Sequence, residues 1–111
     1  MAVEDAIQVH KNEVVFCDKK TDKTRSKHYR LTPENIEKIV FDYAIYKSLF
    51  GLKKALEERI IFYVNDPDIP AELIVCEHEE ENFRRFRGGI RSFVDDNKVK
   101  LEIYNAEGKL Q

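Results

Sequence analysis

Glycine and proline are scarce, 4 and 3 among 111 residues. That scarcity excludes collagen-like repeats and Pro/Gly-rich low-complexity chains, and 42% hydrophobic residues exclude an intrinsically disordered one. Cysteine is limited to Cys17 and Cys76, far apart in the chain, too few for a disulfide scaffold. No apolar run approaches the roughly 20 residues of a membrane helix. The start, Met1-Ala2-Val3-Glu4-Asp5, lacks the basic beginning and apolar core of a signal peptide. A large charge of one sign is also missing: 19 Lys plus Arg face 21 Asp plus Glu, so nucleic acid is not an expected partner. These absences leave one reduced, cytoplasmic domain over residues 1–111, with 105–111 expected to fray.

What is present is mostly β-patterned. Ile7 and Val9, then Val14, Val15 and Phe16, flank a polar His10-Lys11-Asn12 turn and predict a hairpin, followed by a polar tip and a strand near Lys27–Leu31. Thr32-Pro33-Glu34 has the composition of a helix start, and Ile36, Ile39, Val40, Tyr43 and Ala44 keep helical spacing. In a helix, however, Ile45 falls opposite Ile36 and Phe41 leaves the apolar stripe. Alternation of Ile39, Phe41, Tyr43 and Ile45 with Lys38, Val40, Asp42 and Ala44 favours a strand. Arg59–Val64 and Ala71–Cys76 read as a buried hairpin around Asn65-Asp66-Pro67-Asp68-Ile69-Pro70. Residues 79–96 read as an amphipathic helix with the stripe Phe83, Phe86, Ile90, Phe93 and Val94. Glu79, Glu80 and Glu81 are expected at its positive end, and close packing or a kink at Gly88-Gly89. Val99, Leu101 and Ile103 alternate with polar residues in a last strand over 98–104, expected to pair with its own sheet or with a second copy.

The predicted class is therefore α+β, mostly β. The succession Val14-Val15-Phe16, Tyr29-Arg30-Leu31, Asn35-Ile36-Glu37-Lys38-Ile39, Leu49-Phe50-Gly51, Arg59-Ile60-Ile61-Phe62-Tyr63 and the helix through Phe83–Val94 resembles bacterial pleckstrin-homology-like domains, over about three quarters of the chain. The resemblance implies a curved antiparallel sheet or split barrel capped by one C-terminal helix, and a non-catalytic binding role. The strand at 98–104 is an addition to that pattern. The basic signature of phosphoinositide-binding members is not matched, since His28 stands two residues before Arg30, so lipid recognition does not carry over. With a helix over 33–50 the order becomes βαββαβ, the ferredoxin-like alternative, which brings a ligand- or RNA-binding role with Tyr63 as its stacking residue.

Little catalytic chemistry is encoded. Ser26, Ser48 and Ser92 lie in no nucleophile elbow, neither cysteine has a nucleophile's context, and Arg87-Gly88-Gly89-Ile90-Arg91 lacks phosphate-loop spacing. The carboxylates of residues 77–81 suit a helix start. Cys76 and His78 share a face if the strand reaches that far, and Cys17 and His28 would complete four ligands. With no Cys-x-x-Cys and no His pair at ligand spacing, neither metal nor cofactor is expected. Charge layout says more: residues 1–31 carry 7 basic and 5 acidic side chains, 32–82 carry 5 and 12, and 83–111 carry 7 and 4. Lys19, Lys20, Lys23, Arg25, Lys27 and Arg30 form the candidate binding loop, suited to an acidic protein surface and alternatively to anionic lipid. The expected function is a non-catalytic binding or adaptor module that engages protein or itself.

Overall fold

Period-two alternation prevails over helical spacing at residues 36–47. In the computed structural model, which describes residues 7–18, 27–47 and 54–111, this segment is the strand β4, Ile36–Lys47. The ferredoxin-like alternative with a helix over 33–50 is thereby overturned. Thr32-Pro33-Glu34-Asn35 forms a turn instead: Asn35 Oδ1 accepts the Thr32 N–H at 2.6 Å, while the Asn35 and Ile36 N–H groups donate to the Thr32 carbonyl at 3.1 and 3.0 Å. A helix-start composition is thus spent on a tight reversal, as Asn and Pro readily permit.

Before that turn, β1 (Ile7–Val9), β2 (Val14–Asp18) and β3 (Lys27–Leu31) form an antiparallel three-stranded sheet in the order β1-β2-β3. After it, β4 pairs antiparallel with β5 (Lys54–Val64), from Ile36↔Val64 to Lys47↔Lys54, with a bulge between Ile36 and Lys38. β6 (Glu72–Cys76) pairs with Arg59–Tyr63 of β5. The last strand, β7 (Leu101–Ile103), is shorter than the 98–104 expected and runs parallel to Ile39–Phe41 of β4, so it pairs within its own chain. The second sheet therefore has the order β6-β5-β4-β7, and neither sheet is a closed barrel among the described residues.

The helix α1 spans Phe83–Asn97, starting later than the expected 79–96. Glu77–Glu79 form a 3-10 turn, and no acidic residue occupies the first helical turn. The glutamates expected at its positive end thus precede the helix. Lys98 ends the helix with φ 56°, its N–H on the Val94 carbonyl, while Asn97 Nδ2 donates to the carbonyls of Phe93 and Lys11. Phe86, Ile90 and Phe93 are buried in one cluster with Phe41, Ile60 and Phe62, joined by Ile7, Val14 and Leu31 of the first sheet. A Cβ at Gly89 would meet Val9 at 3.5 Å, ordinary contact, and one at Gly88 would meet nothing. Neither glycine is required by close packing. Residues 105–111, expected to fray, close a turn in which the Asn105 N–H reaches the Lys109 carbonyl and the Gln111 N–H the Ile103 carbonyl. No helix among the described residues is long and apolar enough to cross a membrane.

Candidate functional site

β4 and β5 outrun their neighbours. β7 covers β4 only at Ile39–Phe41, and β6 covers β5 only at Arg59–Tyr63, so the hairpin continues as a two-stranded arm. Alternation continues along it after the core has ended. Tyr43, Ile45 and Lys47 on β4 lie across from Glu58, Leu56 and Lys54 on β5. Ile45 is 66% and Leu56 51% exposed, although they are direct cross-strand partners. At the inner end of this face the Tyr43 hydroxyl donates to Glu58 Oε1 at 3.2 Å, and the Glu58 charge pushes the Tyr43 phenol up. Arg87 approaches Glu58 at 4.0 Å and lies over the Phe41 ring.

The opposite face of the arm carries a buried acid. The β5–β6 pairing Arg59↔Cys76, extended by two residues, sets Glu57 across from His78, and Glu57 is only 8% exposed. Its carboxylate accepts the His78 backbone N–H at 2.9 Å, and His78 Nδ1 lies 2.7 and 2.8 Å from its two oxygens. Tyr46 stacks on the His78 ring, centroids 4.1 Å apart and planes 23° apart. Ligand atoms of Glu57, Cys76 and His78 all lie within 4.8 Å of one another, and no other such group of three forms among the described residues. Burial first, and then a hydrogen bond to Glu79, push the Cys76 thiol up to about 11, so it is protonated at neutral pH and not a ready nucleophile.

Further along that face, Val40 and Ile61 are buried outside the main core, between two polar constructions. Arg59 donates twice to Asp42, at 2.7 and 3.0 Å, which raises the guanidinium pKa. Lys38 reaches Glu102 at 3.3 Å and lies over the Tyr63 ring, while the Tyr104 hydroxyl donates to Glu102 at 3.0 Å. Tyr63 is half-buried rather than a free stacking platform. Lys38, Val40, Asp42, Tyr63, Glu102 and Tyr104 border a hollow of about 310 Å³.

Of the expected binding loop, Lys19, Lys20, Lys23 and Arg25 lie outside the described residues, as does the side chain of Lys27. Arg30 is exposed on β3. Cys17 pairs with His28 across β2–β3, in the other sheet from Cys76, the last residue of β6 before the 3-10 turn that holds His78, and both cysteines are free. The four do not form one ligand group. The sequence does not single out Glu57, because the strand expected there begins at Arg59 and leaves position 57 in the connection before it. A signal existed: centring the hairpin on Pro67-Asp68 puts position 57 opposite 78. No family model, curated protein or solved structure matches the chain.

Proposed function

We propose that the protein is a non-catalytic binding module that associates with a second copy of itself through the far half of the β4–β5 arm. The observation that carries this reading is the exposed Ile45–Leu56 pair, two large aliphatic side chains side by side in solvent. Contiguous apolar patches of this kind mark interaction surfaces. Charge complementarity selects the second copy as occupant. If two arms stack about a two-fold axis at the Ile45–Leu56 row, Lys47 and Lys54 of each copy face Tyr43 and Glu58 of the other. Aliphatic groups then meet at the centre and opposite charges at both ends. A protonated thiol at Cys76 supports the non-catalytic part of the reading. The resemblance to pleckstrin-homology-like domains points to the same class of role, and a C-terminal helix packed on sheets accords with it.

Sedimentation velocity over a range of concentrations tests this. The parent chain is expected to show a reversible monomer–dimer equilibrium, weakened by salt and by Lys54→Glu. The double variant Ile45→Ser/Leu56→Ser should sediment as a monomer with an unchanged circular dichroism spectrum, because both side chains are exposed in the monomer. A parent that stays monomeric at every concentration, or a double variant that dimerises as well as the parent, overturns it.

A further inference from the structure

A buried carboxylate is costly unless its charge is compensated. Glu57 is buried with His78 Nδ1 held at 2.7 and 2.8 Å from its oxygens and the Cys76 sulfur in the same cluster. We propose that Glu57, Cys76 and His78 form a binding site for a thiophilic divalent transition metal ion, zinc foremost, where β5 meets the end of β6.

The donor set selects the ion. Sulfur and imidazole nitrogen with one carboxylate oxygen suit zinc and its neighbours, whereas calcium and magnesium require oxygen ligands throughout. Spacing agrees as well. Bonds of about 2.0–2.3 Å place the ligands of a tetrahedral zinc roughly 3.3–3.7 Å apart. The three ligand atoms lie within 4.8 Å of one another before any ion enters, so side-chain rotations close the remainder. The ion takes the place of the proton shared between His78 Nδ1 and Glu57, with imidazole N–H moving to Nε2. The thiol proton leaves to solvent as Cys76 becomes a thiolate, as metal binding requires of cysteine. The group has three members, Glu57, Cys76 and His78, which leaves the fourth tetrahedral position to water or to the Glu79 carboxylate after a side-chain rotation.

The surroundings are arranged for a cation. Glu77 and Glu80 adjoin the cluster in the chain. Arg59, the cation paired across the strands with Cys76, is held by the two hydrogen bonds it donates to Asp42. Tyr46 stacked on the His78 ring and the His78 N–H on Glu57 fix two of the ligands in orientation, as supporting contacts do at metal sites. One carboxylate and one thiolate balance the charge of a divalent ion, which would compensate the buried Glu57 charge that His78 hydrogen-bonds in the metal-free protein.

Cobalt(II) is the probe, because a thiolate ligand gives it a near-ultraviolet charge-transfer band and a tetrahedral site gives it intense visible bands. The full chain, reduced and freed of metal, is expected to bind one equivalent with both signatures and to release cobalt to zinc. Cys76→Ser should abolish the charge-transfer band. His78→Gln should weaken binding by more than the roughly 10–100-fold typical of supporting residues. Cys17→Ser, in the other sheet, should leave the spectrum unchanged. Circular dichroism establishes that each variant is folded, and Cys76→Ala replaces Cys76→Ser if the serine variant is not. Absence of a charge-transfer band in the parent overturns the site. So does its persistence in the Cys76 variant or its loss in Cys17→Ser.

Discussion

Glu102 takes two donors at once, the Lys38 ammonium and the Tyr104 hydroxyl, and its neighbours titrate accordingly. The Tyr104 hydrogen bond first, and then Lys38, hold the Glu102 carboxyl below its usual value of 4.5. The Glu102 hydrogen bond holds the Lys38 ammonium above its usual 10.5. For the carboxylate, the stabilisation is present in full above 4.5 and is lost as the pH falls through the depressed folded value. For the ammonium it is present below 10.5 and is lost as the pH rises through the raised value. Both charges therefore fasten β7 to β4 at neutral pH. Glu102→Gln should lower the urea midpoint of unfolding at pH 7, and the gap from the parent should close once the pH is well below 4.5. A gap of equal size in acid would assign the effect to packing alone.

At the scale of elements, α1 contributes an apolar stripe and two unnecessary glycines. Phe93 is 2% exposed in the shared core, and Phe93→Ala should cost about 3–5 kcal/mol in chemical denaturation. A loss under about 1 kcal/mol would mean that the stripe is not buried as described. Gly88→Ala should work in the other direction and stabilise the chain by about 0.5–1 kcal/mol, because the methyl meets open space while the helix gains a better former. A fall in melting temperature would show that Gly88 has a role other than helix formation. The stripe of α1 and the alternation of β4 were legible because each repeats over several turns or pleats. The start of α1 was not, because Glu77, Glu79, Glu80 and Glu81 favour a helix N-terminus but equally suit the 3-10 turn that follows β6. Thr32-Pro33-Glu34 misled in the same way, since a capping composition and a turn composition overlap where Asn35 can close the reversal. In the candidate site, the Cys76–His78 proximity could be read locally. Glu57 is 19 residues before Cys76, and only strand register brings it there. The basic loop was legible as charge, but charge alone does not position a site.

For the whole molecule, the order β6-β5-β4-β7 has one decisive property. β6 and β7 occupy opposite edges of the sheet, and the chain between them is α1, whose buried stripe packs into the core the sheets share. Ending the chain at Asn97 removes β7 together with the Ile39 N–H to Lys100 and Tyr104 N–H to Phe41 hydrogen bonds, and uncovers Ile39 and Phe41. Such a truncation should unfold at lower denaturant concentration than the parent; an unchanged midpoint would make β7 an ornament of the edge. The same arrangement bears on biosynthesis. The ribosome delivers β1 to β6 before α1, and the β4–β5–β6 meander already displays Ile39, Phe41, Ile60, Phe62, Leu73 and Val75 on one face. Its lid and its last edge strand are still to be translated, which at bacterial or eukaryotic speeds takes on the order of a few seconds. During that interval the part of the core that the α1 stripe fills stays open, and it is then, rather than after completion, that this protein is most in need of a chaperone.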